Sequence, residues 1–199
     1  MYDTPWPNDT PITRVALLLH KLELALASSQ ISDETKSLLT ETRSIVDGFD
    51  GYLEAMSSKA PGILNLMIAQ ANSEDWVALH SSGKTQSILH PNLCAGRYEA
   101  VVLQMLAKMT GARRVLEIGM FIGTTTVSLA LLPQVEKVVT MDIEPYLVEL
   151  SSPWWEKAGV GHKIRTMIGD AKEGMQKLRD EKQQFDFVSK IKSLKYEHV

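Results

Sequence analysis

Two glycines in the stretch Arg113-Arg114-Val115-Leu116-Glu117-Ile118-Gly119-Met120-Phe121-Ile122-Gly123-Thr124-Thr125 constrain this chain more than any other feature. The apolar run Val115, Leu116 and Ile118 has strand character, and a helix-like stretch follows it. Glycine carries no Cβ, so Gly119 and Gly123 let a strand turn abruptly into a helix while the backbone approaches a ligand closely. A second apolar run, Lys137-Val138-Val139-Thr140-Met141, ends in Asp142. A carboxylate at the tip of a neighbouring strand is where a ribose can be held through its hydroxyls. Together these features read as a nucleoside-binding α/β core.

The periodicity around this element fits that reading. Strands are predicted near 114–118, 136–141, 163–168 and 185–189, with helices near 124–132, 145–158 and 171–180. Such alternation implies a parallel sheet with right-handed crossovers and helices on both faces. The first half of the chain is helical in pattern. Ile12, Val15, Leu18, Leu19, Leu22 and Leu26 fall at helical spacing over 11–30, with Asp9 or Thr10 as N-cap and Pro11 as first helical residue. Ser32-Asp33-Glu34 opens a second helix in which Leu38, Leu39, Thr42, Ile45 and Val46 face one way, with Gly48 and Gly51 breaking it. Further helices are predicted over 52–58, over 61–82 between Pro61 and Gly83, and over 94–110 up to Gly111, with a loop from Ser87 to Pro91. The organisation expected is a helical extension over 1–85, a ligand-binding core over 86–188 and a polar tail over 189–199.

A chain of 199 residues fits one domain. The net charge of −3, without a basic stripe interleaved with aromatics, argues against a nucleic-acid partner. No apolar run approaches membrane-spanning length and no leader pattern opens the chain, so a cytoplasmic location is expected. One cysteine, Cys94, allows neither an internal disulfide nor a cysteine-rich zinc site, and reads as a small apolar filler.

The loop spacing bears on which nucleoside fits. A dinucleotide loop wants G-x-G-x-x-G, and a phosphate loop wants a lysine after its last glycine. Here the pattern is Glu117-x-Gly119-x-x-x-Gly123 with neither. An acid at the loop entrance repels a pyrophosphate but suits a cationic ligand such as a sulfonium with an amino-acid tail, which makes S-adenosylmethionine the candidate. A nicotinamide-dependent oxidoreductase is disfavoured on the same ground.

These residues carry a resemblance. Glu117-Ile118-Gly119-Met120-Phe121-Ile122-Gly123, Met141-Asp142-Ile143-Glu144-Pro145, Lys157-Ala158-Gly159-Val160-Gly161-His162-Lys163-Ile164, Ile168-Gly169-Asp170-Ala171 and Phe185-Asp186-Phe187-Val188 resemble the cation-dependent class I O-methyltransferases, which include caffeoyl-CoA and catechol O-methyltransferases. The resemblance covers roughly 90–188 and implies a Rossmann-like class I methyltransferase core. Carried over residue by residue, it implies that Glu117, Gly119 and Met120 wrap the methionine part of S-adenosylmethionine. Thr125, at the following helix N-terminus, would hold the cofactor's carboxylate. Asp142 would hold the ribose, Asp170 and Ala171 the adenine edge, and Ala95 a further contact. N-terminal helices shape the acceptor site and dimer interface in this family, so a homodimer is expected. Trp76, His80 and His90 could line such a site, although ordinary packing is the favoured reading for each.

The family transfers a methyl group to a hydroxyl held on a divalent cation, for which Mg²⁺ suits oxygen ligands. The expected first metal ligand falls on Ile191, in the segment Phe185-Asp186-Phe187-Val188-Ser189-Lys190-Ile191-Lys192-Ser193, and isoleucine cannot coordinate a cation. The later ligands and C-terminal strands of the family are not matched before Val199. The functional expectation is therefore an S-adenosylmethionine-dependent O-methyltransferase of small catechol-like or enol hydroxyls, impaired or inactive in this form and poorly stable or oligomer-dependent. The alternative is a non-catalytic module of that family that binds S-adenosylmethionine or a partner subunit.

Overall fold

The computed structural model describes residues 11–190. Among them α1 (Pro11–Leu26) and α2 (Asp33–Met56) form one compact unit, and the chain from Ser57 onward forms a second. In the first unit, the Ser32 hydroxyl accepts the Thr35 N–H at 3.1 Å and so caps α2, as its opening residues predict. Arg43 donates to Asp47 at 2.6 Å one turn along α2, and to Glu23 and the Ala16 carbonyl of α1 at 3.4 and 3.5 Å. The break expected at Gly48 and Gly51 does not occur, because α2 runs through both to Met56. A glycine costs a helix about 1 kcal/mol relative to alanine without forbidding helical dihedrals, and the flanking residues outweigh it. The predicted cap at Asp9 or Thr10 lies outside the described residues.

The second unit opens with α3 (Ile63–Ser73) and α4 (Trp76–Ser81), where one helix was expected. Asp75 divides them: its carboxylate accepts the Ala78 N–H at 2.9 Å, starting a new helix rather than continuing the old one. A single turn at Pro91–Leu93 precedes α5 (Arg97–Met109), which begins three residues later than predicted because Gly96 is extended. Then β1 (Arg114–Ile118), α6 (Thr124–Ala130), β2 (Lys137–Asp142), α7 (Tyr146–Lys157), β3 (Ile164–Ile168), α8 (Ala171–Asp180) and β4 (Phe187–Lys190) alternate as the periodicity requires.

The four strands are all parallel in the order β3-β2-β1-β4. On one face, Val115 and Val138 pack with Ala107 of α5 and Leu129 and Ala130 of α6. On the other, Leu116, Val139 and Met141 pack with Leu178 of α8. Helices therefore cover both faces. Residues of β1 and β2 point into apolar layers on either side, which explains their near-continuous apolar sequences. This order also fixes where a ligand can enter. The chain steps from β1 outward to β2 and β3, then returns to the opposite side of β1 as β4. The carboxyl ends of the strands at such a reversal leave the crevice in which parallel α/β sheets bind ligands.

Candidate functional site

The turn leaving β1 at that reversal is built on left-handed backbone. Gly119, Phe121 and Gly123 have φ of 95°, 49° and 72°. Glycine adopts such angles freely, whereas phenylalanine does so under strain, so something must hold Phe121 there. Asp142, at the tip of β2, does so. Its Oδ2 accepts the N–H groups of Met120 at 2.9 Å and Phe121 at 2.8 Å, and its Oδ1 accepts the Glu144 N–H at 3.1 Å. The Phe121 ring packs against Trp76 with centroids 5.3 Å apart. The Gly119 N–H donates to the Met141 carbonyl at 2.9 Å, fastening the start of the turn to β2. A Cβ at Gly123 would stand 3.3 Å from Trp155 Nε1 and 3.4 Å from Thr126 Oγ1. Gly123→Ala is therefore expected to cost about 1–3 kcal/mol, from left-handed strain and crowding together. A thermal melt superimposable on the parent chain's would contradict this.

Glu117 lies beneath the turn, fully buried on the central strand, with Thr140 of β2 and Ser189 of β4 as register neighbours. Its Oε2 accepts from the Thr126 hydroxyl and from the Thr140 hydroxyl, the latter at 2.6 Å, while Oε1 has no partner among the described residues. Burial pushes its carboxyl up to about 7, against the two hydroxyl bonds that favour the charged form, and the nearby Asp142 charge adds to the rise. The acid is thus poised between its two forms near neutral pH, with one oxygen still to be satisfied. Thr125, in the first turn of α6, is also buried, and its hydroxyl has no partner among the described residues. The adjacent Thr124 donates to the Ala95 carbonyl at 3.0 Å, which draws Ala95 to the same helix end.

The predicted residues fall into two groups. Glu117, Gly119, Met120, Thr125, Asp142 and Ala95 belong to one connected assembly around the β1 exit. Asp170 and Ala171 stand at the end of β3, tied to the assembly through the Gly169 N–H, which donates to the Asp142 carbonyl at 2.9 Å. Asp170 caps α8 by accepting the Lys172 N–H at 2.6 Å. Trp76 donates to the Ala71 carbonyl at 2.9 Å, His80 Nδ1 sits 3.1 Å from the Thr85 carbonyl, and His90 Nδ1 accepts the Asn92 N–H at 3.2 Å. Cys94 is half-buried, and desolvation pushes its thiol up to about 11, which keeps it neutral at physiological pH. Sequence reading missed Thr126, Thr140 and Glu144. Each lies within two residues of a noted one, Thr126 beside Thr125 and Thr140 and Glu144 on either side of Asp142, but the contacts that give them a role form only in the folded sheet.

No three His, Cys, Asp or Glu side chains converge to hold a metal among the described residues. The end of β4 presents Ser189 and the cationic Lys190, the latter in register with Ile118, and Ile191 lies outside the described residues. The described residues do not fit a divalent cation. Two grooves lie outside the assembly. One of about 790 Å³ runs between α3 and α7, and one of about 560 Å³ runs beside α8 and Phe185.

A parallel sheet with this reversal, a left-handed glycine turn and an acid at the next strand tip define a Rossmann-like fold of the class I methyltransferase type. The sequence profile of the O-methyltransferase family matches residues 71–194, and the chain belongs to that family. It is 43% identical over 81 residues to tricin synthase 1 of Oryza sativa subsp. japonica, covering 40% of this chain and 31% of that protein. It is 40% identical over 93 residues to caffeoyl-CoA O-methyltransferase 2 of Zea mays, covering 45% and 35% respectively. The chain thus spans about a third of the length of these curated relatives. Among solved structures, it is similar to the O-methyltransferase TomG from Streptomyces achromogenes in complex with SAM. The TM-score is 0.56 at 25% identity, over 72% of this chain and 59% of that one. SAH-bound methyltransferase PaMTH1 of Podospora anserina shares the fold, with a TM-score of 0.58 at 18% identity over 81% and 58% of the two chains.

Proposed function

We propose that this chain binds S-adenosylmethionine for an O-methyltransferase whose acceptor is a hydroxyl of a small catechol-like or enol molecule, residues 86–188 holding the cofactor. The observation that carries the reading is Asp142 braced against the left-handed turn of Gly119–Gly123 at the reversal point of the sheet. Bound S-adenosylmethionine supplies a methyl group on a sulfonium centre. The chain's own residues bind and orient it. Asp142 accepts a ribose hydroxyl, and Gly119 and Met120 offer the close backbone approach. Glu117 turns its unpartnered oxygen to the cationic amino-acid end, while Thr125 and the N-terminus of α6 offer donors to the carboxylate. Asp170 and Ala171 flank the adenine edge, and Ala95 completes the wall. Membership of the family and a sulfonium-suited acid at the loop entrance support this assignment over a nicotinamide cofactor.

We further propose a cytoplasmic homodimer. No described helix is long and apolar enough to cross a membrane. One observation favours a second reading, a module that binds S-adenosylmethionine without turnover: Lys190 stands at the β4 tip, where a cation would meet a positive charge. Titration calorimetry of the full chain with S-adenosylmethionine and with NAD, followed by a methyl-transfer assay on a catechol with Mg²⁺, separates these readings. Heat with S-adenosylmethionine and none with NAD is expected. No heat with S-adenosylmethionine at millimolar concentration would overturn the assignment, and binding without transfer would favour the second reading.

A further inference from the structure

Glu144 has no part in the scheme above, yet it is 98% buried beside the site, its exposure being 2%. Both its oxygens accept the Gln86 N–H, at 3.0 and 2.8 Å, and Oε1 also accepts the Ser87 N–H at 3.1 Å and the Ser87 hydroxyl at 3.3 Å. The Gln86 side chain returns a bond to the Ile143 carbonyl at 2.8 Å. These partners lie 57 and 58 residues away in sequence, so the acid fastens a distant segment to the turn that carries Asp142. The same segment is fastened again at its far end, where the Ala95 carbonyl accepts from Thr124 at 3.0 Å. Between the two points Leu89 is buried in the cluster that contains Met120, Phe121 and Trp76. Residues 86–95 therefore run as a strap from the β2 exit to the first turn of α6, alongside the braced loop. Glu144 also acts on Asp142 directly, because its own N–H holds Asp142 Oδ1.

We propose that Glu144 is a positioning residue for cofactor binding: its buried carboxylate latches residues 86–95 against the strand tips and so sets how long a bound nucleoside is retained. This rests on the S-adenosylmethionine reading for its functional half only. A carboxylate accepting several backbone donors is among the stronger hydrogen-bond arrangements in a fold, so loss of the latch should be felt locally.

The test has two arms, both on the full chain. In the first, amide hydrogen exchange of the ligand-free protein should show Gln86 and Ser87 protected although both residues are exposed. Glu144→Ala should speed exchange across 86–95 by about tenfold or more while leaving the β1 and β2 amides unchanged. In the second, stopped-flow binding of S-adenosylmethionine to Glu144→Ala should show dissociation faster by about tenfold, with Glu144→Gln, which keeps one acceptor oxygen, intermediate. Unprotected Gln86 and Ser87 amides in the parent chain overturn the latch, and that measurement stands even if Glu144→Ala fails to fold. Unchanged dissociation in a folded Glu144→Ala overturns the positioning role. A parent chain that shows the protection but binds no S-adenosylmethionine would sink the cofactor reading and leave the latch standing.

Discussion

Asp142→Ala is expected to weaken S-adenosylmethionine binding by about a hundredfold and to lower the melting temperature by about 4 °C or more. Two losses combine. In the proposed binding mode the ligand loses an acceptor for its ribose, and the fold loses the acceptor for three backbone N–H groups, all of them on buried residues. A buried donor stripped of its partner costs about 1–3 kcal/mol, and the left-handed Phe121 loses the bond that offsets its strain. Asp142→Asn keeps one carbonyl oxygen and should fall between the two, with affinity down about tenfold. Calorimetric titration and thermal denaturation of the three proteins measure both effects. An alanine variant that titrates like the parent would remove Asp142 from the site.

Glu117→Gln should make stability less dependent on pH between about 4.5 and 7. The side chain of Glu117 is fully buried with its carboxyl raised to about 7 from an ordinary 4.5, so the folded chain binds this proton more tightly than the unfolded one. The stabilisation that results is complete below pH 4.5 and is lost as pH rises through 7. It amounts to something on the order of 3 kcal/mol across that window. Glutamine is neutral throughout and of the same shape, and the Thr126 and Thr140 hydroxyls can rotate to meet its amide. Relative to the parent, the variant should therefore gain stability as pH climbs from 5 to 8. Binding should show the opposite preference: parent affinity for the cationic ligand rises as Glu117 ionises near pH 7, while the variant binds weakly and without that rise. Parallel melting curves across pH for the two proteins would refute this account.

The second half of the chain was legible in the sequence for a simple physical reason. Strands buried on both faces must be apolar along their length, so Val115–Ile118 and Val138–Met141 announced themselves, and the glycines between strand and helix marked the turn. The helices of the first half were harder. Gly48 and Gly51 looked like breaks because glycine is a poor helix former, but a penalty of about 1 kcal/mol each does not stop a helix of 24 residues. The division at Asp75 was missed because the apolar pattern on either side shares a helical period, and only the capping carboxylate separates the two segments. Within the candidate site, spacing points to Glu117 and Asp142. It could not show that Glu117 is held by Thr126 and Thr140, or that Glu144 grips Gln86 and Ser87, because those partners meet only once the sheet has assembled.

The three amides gathered by Asp142 carry one more implication. A carboxylate offers about four lone-pair directions, and three are engaged before any nucleoside arrives. In the proposed binding mode the acid greets its visitor with a single vacancy, so architecture and recognition would draw on the same two oxygens. An arriving diol must share that vacancy or loosen the turn itself. On that reading, occupancy and the shape of the β1 exit are tied together, and whatever firms one would firm the other.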